Sequence, residues 1–485
     1  MAYLLVAEVD KIQSFVLESA KLRQVVGASA LLKDFGKNVK SKPEEYLGEF
    51  VPEKDIIASA GGSFRILFPS EETAIAAGIQ LQKKFQADVG GSITIAEPVP
   101  WDDDETIIEI GNSYLREAKT RGKDPAPLWH IPYMAQCQSS GVELAYAYDS
   151  ETGIDGDNKK YLGELTIKKG KRARQKPTLV DEMAEAMNVR ADEQSKDADA
   201  YAWDDRKYVA YLVADGNQMG KIFNACLPEQ VTKLSTELAT LTQDALVDAT
   251  QQLTKRFHEK SPRRDSQDIQ DYLPILPLIM GGDDVFALMP ANWAFDVARR
   301  YCDLYEEKVN QFLEASGIKQ RIGGDYKATL GAAIVICKAS YPYKVAHEYG
   351  ESLLSSVKGK GKTDPENPIS MLGIGWIVGS QVTDEDEVPA FESRDAAALI
   401  HYRYQLRDMP SRIRERLRRA IENEDDRDFE EAFTRYKELY PDNAEELIAA
   451  EKVLGIQGLF ELVNLWDFLL DSKRPLIDYT YEGDQ

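Results

Sequence analysis

Cysteine and histidine are scarce in this chain of 485 residues, with four of each. Cys137, Cys226, Cys302 and Cys337 stand apart and none sits at CxxC spacing, so the sequence offers neither a disulfide framework nor a zinc knuckle and fits a reducing cytoplasm. His130, His258, His347 and His401 are equally isolated, which leaves no imidazole cluster for a metal. An excess of basic charge is missing too: the net charge of -23 argues against free-standing electrostatic binding of nucleic acid, although a basic partner could be served by the acidic surface. No run of about 18 apolar residues occurs, and Met1–Val9 is too short and too soon followed by charge to be a signal peptide. The expectation is a cytoplasmic protein without membrane contact.

What is present is a globular composition, 43% hydrophobic and 29% charged, on a length that implies about two to four domains. The stretch that organises it is Leu273–Met289, LPILPLIMGGDDVFALM. Two apolar runs flank Gly281, Gly282, Asp283 and Asp284, the pattern of a hairpin whose tight turn carries paired carboxylates. The glycines permit positive φ and close approach of a ligand to the backbone. Two carboxylates at the end of buried strands are costly unless a cation lies between them, and Mg²⁺ binds through one or two carboxylates plus phosphate oxygens. Gly and Asp are also ordinary turn residues, so the hairpin alone decides nothing. A second apolar run, KYVAYLVADGNQMG at Lys207–Gly220, ends in Asp215 and Gly216. If the two strands are neighbours in one sheet, Asp215 meets Asp283 and Asp284 at one edge, and a two-metal carboxylate site can be assembled.

The order of elements repeats. Tyr3–Val9 reads as a strand, Ser29–Val39 as a helix, Ile56–Ala60 and Phe64–Phe68 as a hairpin, Glu72–Phe85 as a helix, Ser92–Val99 as a strand and Glu105–Thr120 as a helix. That succession is the ferredoxin-like arrangement. The second unit runs Lys207–Asp215, Val231–His258, the hairpin, Trp293–Ala315, Ala328–Cys337, Tyr343–Lys358 and Ile369–Gly379. GGSFRILFP at Gly61 lines up with GGDDVFALMP at Gly281, and the strand ending in Asp10 with the strand ending in Asp215, as in an internal duplication. The first copy, with Ser63 and Phe64 after its glycines, lacks the paired carboxylates and is expected to be inert, a packing partner or second wall of a nucleotide pocket.

Between the copies, Arg121–Asp205 is less regular, and its dense basic run, KKGKRARQK at Lys168–Lys176, reads as a solvated loop, with a phosphate or RNA contact as the sharper alternative. Beyond an acidic linker at Thr383–Glu387, Arg394–Asn423, Asp428–Tyr440, Asn443–Leu454 and Leu459–Leu470 show helical spacing. The arginines from Arg403 to Arg419 read as part of an ordinary amphipathic helix, with a partner's acidic or nucleic-acid surface as the alternative. The domain reading is a degenerate first ferredoxin-like unit over 1–125, an insertion over 126–205, a catalytic unit with GGDD over 206–382 and a helical unit over 383–485.

Four stretches in order, VDKIQSFVLESAKLRQVVGASALL at Val9, VADGNQMGK at Val213, GGDDVFALMP at Gly281 and TLGAAIVICKASYPYKVAHEYGESLLSSVKG at Thr329, resemble the large subunit of type III CRISPR effector complexes. The palm domains of that family are related to GGDEF-type nucleotide cyclases and to polymerases. The resemblance spans nearly all of residues 1–380 and implies an α+β fold of two ferredoxin-like palm domains, of nucleotide cyclase type, plus a C-terminal helical bundle. It implies a synthetase that joins ATP into cyclic oligoadenylates with Mg²⁺ or Mn²⁺, in company with other effector subunits and guide and target RNA. Asp215 and Asp283 resemble the metal ligands and Asp284 completes the carboxylate group, with Gly216, Gly281 and Gly282 beside the nucleotide. Lys358 matches the lysine that reaches toward the triphosphate, and Lys360 and Lys362 add to it.

Three departures accompany the resemblance. Asn217 stands where many relatives have a second aspartate, which bears on metal binding. Cys137–Gly141, CQSSG, has Ser140 where relatives complete half of a zinc site, so no zinc is expected. The sequence starts directly at the first palm, so the family's N-terminal HD nuclease is not expected. The alternatives to the synthetase are a catalytically quiet scaffold or nucleotide-binding subunit of an RNA-guided complex, and a stand-alone nucleotide cyclase working as a homodimer.

Overall fold

The structure, a computed structural model, describes residues 2–18, 21–101, 107–121, 134–150, 159–191, 198–202, 206–251, 273–362, 368–378, 381–384, 388–424, 426–441 and 444–470. His130, His258 and the end of the long helix expected at Val231–His258 lie outside them. No helix among the described residues is long and apolar enough to cross a membrane.

The first unit opens with β1 (Ala2–Val9), then α1 (Ile12–Leu17), α2 (Leu22–Ser41) and α3 (Pro43–Leu47). The hairpin β2 (Ile56–Ala60) and β3 (Ser63–Phe68) leads into α4 (Glu71–Asp88), which Ser70 and Thr73 start with a reciprocal capping box. The strand expected at Ser92–Val99 is two pieces, β4 (Ile93–Ile95) and β5 (Val99–Trp101), divided at Pro98, which has no N–H for the ladder. α5 (Ile107–Arg121) completes the unit, and its sheet order β2-β3-β1-β4 is ferredoxin-like.

The second unit has the same core. β8 (Tyr208–Gly216) follows the insertion elements β6 (Ala147–Ser150), β7 (Lys159–Leu162), α6 (Glu164–Arg172) and α7 (Leu179–Ala186). After it come α8 (Met219–Ala225), α9 (Pro228–Thr250), β9 (Leu276–Gly281), β10 (Asp284–Pro290), α10 (Ala291–Ala315), α11 (Ile318–Ile322), β11 (Leu330–Lys338), α12 (Tyr343–Lys360) and β12 (Met371–Val378). The order β9-β10-β8-β11 repeats the first sheet, and β12 is added parallel to β11. β8 and β11 are apolar nearly throughout because helices cover both faces, α12 on one and α10 on the other.

The two sheets shield one another's edges. α2 packs on edge strand β9 and α9 packs on edge strand β2, so neither hairpin presents an open ladder. Ser29 on α2 donates its hydroxyl to the Leu278 carbonyl, which fixes the approach. This reciprocal packing draws both hairpin turns to one place, and a Cβ added to Gly281 would lie 3.9 Å from the Cα of Gly61.

The run Lys168–Lys176 is corrected: it is not a solvated loop, since α6 supplies its first half and packs on α2. Lys169 is buried, donates to the Phe15 carbonyl and stands 4.4 Å from the centre of the Phe15 ring, with Glu18 at 3.9 Å. Cutting this strut with Lys169→Ala should lower the unfolding free energy in a urea titration by about 3 kcal/mol, because Glu18 and the Phe15 carbonyl lose their buried partner.

Past the short strands β13 (Gln381–Val382) and β14 (Ala390–Phe391), the C-terminal helices are α13 (Ser393–Gln405), α14 (Ser411–Glu422), α15 (Asp426–Leu439) and α16 (Ala444–Asn464), the last bent at Gly455. The single helix read over Arg394–Asn423 is thus two, divided at Pro410. The arginines serve this bundle. Arg403 donates to the Trp466 carbonyl at 2.8 Å and Arg414 lies 4.6 Å over the Trp466 ring, while Arg416 pairs with Asp428 and Glu431 and Arg418 and Arg419 pair with Glu415.

Candidate functional site

Register places the acidic residues. Val285 on β10 is paired with Ala214 on β8, which sets Asp284 beside Asp215 and Asp283 beside Gly216. Gly282 takes φ 65° in the turn. Any side chain at Gly216 would collide there, since a Cβ would lie 2.8 Å from Asp283 Oδ2 and 2.7 Å from the Tyr305 hydroxyl. Lys358, near the end of α12, completes the group: Nζ donates to Asp215 Oδ2 and, at 3.1 Å, to the Gly216 carbonyl. Its stem crosses β11 over Gly331, where a Cβ would lie 2.6 Å from Lys358 Cγ.

Electrostatics separate the three carboxyls. Burial raises the Asp215 carboxyl, but the Lys358 ammonium and hydrogen bonds from Asp283 and Asp284 outweigh it and hold the group below its ordinary value. Asp283 is raised well above the ordinary range by burial and then by the charge of Asp215, and Asp284 is pushed up to about 7 by burial and Asp215. One lysine does not balance three acids. The donor set, all hard oxygen beside a cavity, therefore suits a divalent cation. Among the described residues, however, no three such groups already surround a common point as a finished metal shell.

Asp284 binds its proton more tightly folded than unfolded. Its contribution thus favours the fold at low pH and is lost as pH rises from 3.8 through about 7. Between about pH 5 and pH 8 the melting temperature of metal-free protein should fall more steeply than that of Asp284→Asn, and added Mg²⁺ should raise it more at the higher pH.

The site opens on a cavity of about 740 Å³ between the two units, walled by Gly61, Gly62, Gly281, Gly282, Asp284 and Glu351 among others. Lys11, Lys33, Lys37 and Lys119 reach the same cavity from the first unit. Lys360 instead donates to the Val388 carbonyl at 2.6 Å, and Lys362 is exposed beyond α12, so neither joins Lys358 at the carboxylates. Asn217 is taken up elsewhere: its amide donates to Thr329 Oγ1 at 2.9 Å and its backbone N–H to the Thr329 carbonyl at 2.8 Å.

That backbone bond corrects the alignment of the copies. Asp10 N–H donates to the Ser92 carbonyl at 3.0 Å, so Asp10 matches Asn217, not Asp215. Lys11 and Gln218 follow with φ 47° and 55°. Glu8, paired with Ser63, stands where Asp215 pairs beside Asp284, so Ser63 matches Asp284 and Gly62 matches Asp283. The first unit is therefore not bare: Lys119 on α5 meets Glu8 at 2.9 Å, as Lys358 on α12 meets Asp215.

Gly331, Tyr305 and Glu351 were not singled out from sequence. An isolated glycine within the strand pattern TLGAAIV was the available signal for a close approach. Glu351 precedes Lys358 by two helical turns, a spacing that puts both on one face of α12.

Residues 208–365 match the family model for Cas10/Cmr2, second palm domain. Comparison with curated proteins returns no match. Among solved structures the chain is similar to Csm1 of T. onnurineus, at 14% identity and TM-score 0.56, covering 97% of this chain and 70% of that one. It is similar to a Csm1-Csm4 cassette in complex with cA4, at 13% identity and TM-score 0.56, covering 96% and 70%. A Csm1-Csm4 cassette in complex with pppApA gives 14% and 0.57, covering 96% and 69%. At such identity the likeness establishes the fold, two palms and a helical C-terminal unit. The chain thus carries, at residues 208–365, a segment that matches the Cas10/Cmr2 second palm domain, set in a fold similar to that of Csm1.

Proposed function

We propose that this protein is a metal-dependent nucleotidyltransferase that converts ATP into cyclic oligoadenylates within a type III CRISPR effector. The observation that carries the reading is the convergence of Asp215, Asp283, Asp284 and Lys358 at one sheet edge, with Asp284 lining a cavity between the two palms. Relatives of the same fold occur with cA4, with pppApA and with one ATP, and in cassettes with Csm4, which supports both the ligand class and a Csm4-type neighbour; guide and target RNA are part of the proposal. The domain limits 1–125, 126–205, 206–382 and 383–485 belong to this proposal.

Asp215, Asp283 and Asp284 would hold Mg²⁺ or Mn²⁺, which when bound supplies charge neutralisation at the α-phosphate and a lowered pKa for the attacking 3′-hydroxyl. The chain's own groups do the rest. Lys358, drawn from Asp215 to the triphosphate, steadies charge that grows on the departing pyrophosphate. Gly281 and Gly282 keep side chains out of the space a nucleotide needs, and Gly216 leaves room for Asp283 against the fully buried Tyr305. The facing palm supplies the second wall.

Purified protein incubated with ATP and Mg²⁺ or Mn²⁺, with and without a guide and target RNA complex, should yield cyclic adenylates by mass spectrometry. ATP binding without product under every condition would favour a quiet nucleotide-binding scaffold instead.

A further inference from the structure

Gln13 and Glu351 meet across the cavity. Gln13, exposed at the start of α1 in the first palm, donates Nε2 to Glu351 Oε1 on α12 of the second at 3.3 Å. Both line the cavity, and the Glu351 side chain keeps 40% of its surface open to it. The same oxygen of Glu351 is steadied by His347, whose Nε2 lies 3.4 Å from Oε1. His347 is itself held in place, buried, with its ring edge-on to Phe286 at 4.5 Å. Glu351 lies about 10 Å along the helix from Lys358, two turns from the end where phosphates would sit. A nucleotide anchored by its phosphates at Lys358 and running down α12 brings its base toward this pair. The pair presents one amide, donor and acceptor together, and one carboxylate.

We propose that Gln13 and Glu351 form a base-reading clamp, one arm from each palm, that selects adenine. The inference rests on the nucleotidyltransferase reading and adds the residues that choose its substrate. Adenine presents an exocyclic amine next to a ring-nitrogen acceptor; the Glu351 carboxylate accepts from the amine while the Gln13 amide donates to the nitrogen. Gln with adenine is a recurring bidentate match. Guanine places its O6 where the amine would be, so two oxygens face each other without a proton between them. One such pair discriminates by about 10- to 100-fold. Because the arms come from different palms, the base can be read only when both palms face the same cavity.

The test is equilibrium binding of ATP and of GTP, each with Mg²⁺, to the full chain by calorimetry, for wild type, Gln13→Ala and Glu351→Gln. Gln13 is exposed and Glu351 half-exposed, and an unchanged melting temperature verifies that each variant folds. Wild type should prefer ATP at least about tenfold. Gln13→Ala should weaken ATP and shrink that ratio toward one. Glu351→Gln, whose amide can turn a donor toward O6, should move the ratio toward GTP. A wild type without preference, or a ratio that neither substitution changes, overturns the clamp and leaves the proposed reaction standing. Failure of wild type to bind either nucleotide overturns the reaction and the clamp together.

Discussion

Asp283→Ala together with Asp284→Ala should lower the rate of phosphodiester formation from ATP by more than about a thousandfold, a loss of about 4 kcal/mol of transition-state stabilisation. In the proposed reaction the two side chains furnish oxygen donors that Asp215 alone does not make up for, and Glu351 sits two turns farther down α12. The fold should survive. Both carboxyls are raised by burial and then by the charge of Asp215, so removing them relieves the cost of burying acids there. The measurement is product by mass spectrometry beside the thermal melt: product gone with the melting temperature equal to or above wild type is the expected pair of results. A collapse of the melt would mean the aspartates hold the hairpin together and do not serve chemistry.

Lys358→Ala should cost about a hundredfold in turnover, and Gly331→Ala should imitate it although Gly331 carries no functional group. A Cβ at Gly331 would lie 2.6 Å from Lys358 Cγ and 2.8 Å from Lys358 Cε, so the lysine stem must leave the track that delivers Nζ to Asp215. Single-turnover kinetics at saturating ATP separate the outcomes. A fall in turnover shared by both variants fits a lysine that must be held in position, whereas normal turnover in Gly331→Ala would show that the lysine reaches its task by another route.

Much of the architecture was legible because its signals are local. The buried run YVAYLVAD could only be a strand covered on both faces, and GGDD between two apolar runs could hardly be other than a turn. Convergence of Asp215 with Asp283 and Asp284 followed once those strands were taken as neighbours. Other features depended on information the chain does not hold locally. The copies were matched glycine to glycine, yet hydrogen-bond register sets Gly61 against Gly282 and gives Glu8 the place assigned to Asp10. The basic run at Lys168 looked solvated because seven of its nine residues are Lys, Arg or Gln, but the surface of α2 buries Lys169. Lys360 and Lys362 resembled helpers of Lys358 by nearness in sequence, and helix geometry turns them elsewhere. Gln13 and Glu351, which touch across 338 positions of sequence, gave no local signal.

The central claim is that Asp215, Asp283 and Asp284 gather cations beside a triphosphate. A crystal structure of the protein with Mn²⁺ and a non-hydrolysable ATP analogue, read by anomalous scattering, tests it most directly. The account predicts a manganese peak within about 2.3 Å of carboxylate oxygens from both β8 and β10, with Lys358 moved from Asp215 to phosphate. A nucleotide bound elsewhere, or bound here with no manganese at these aspartates and Lys358 still on Asp215, would contradict it.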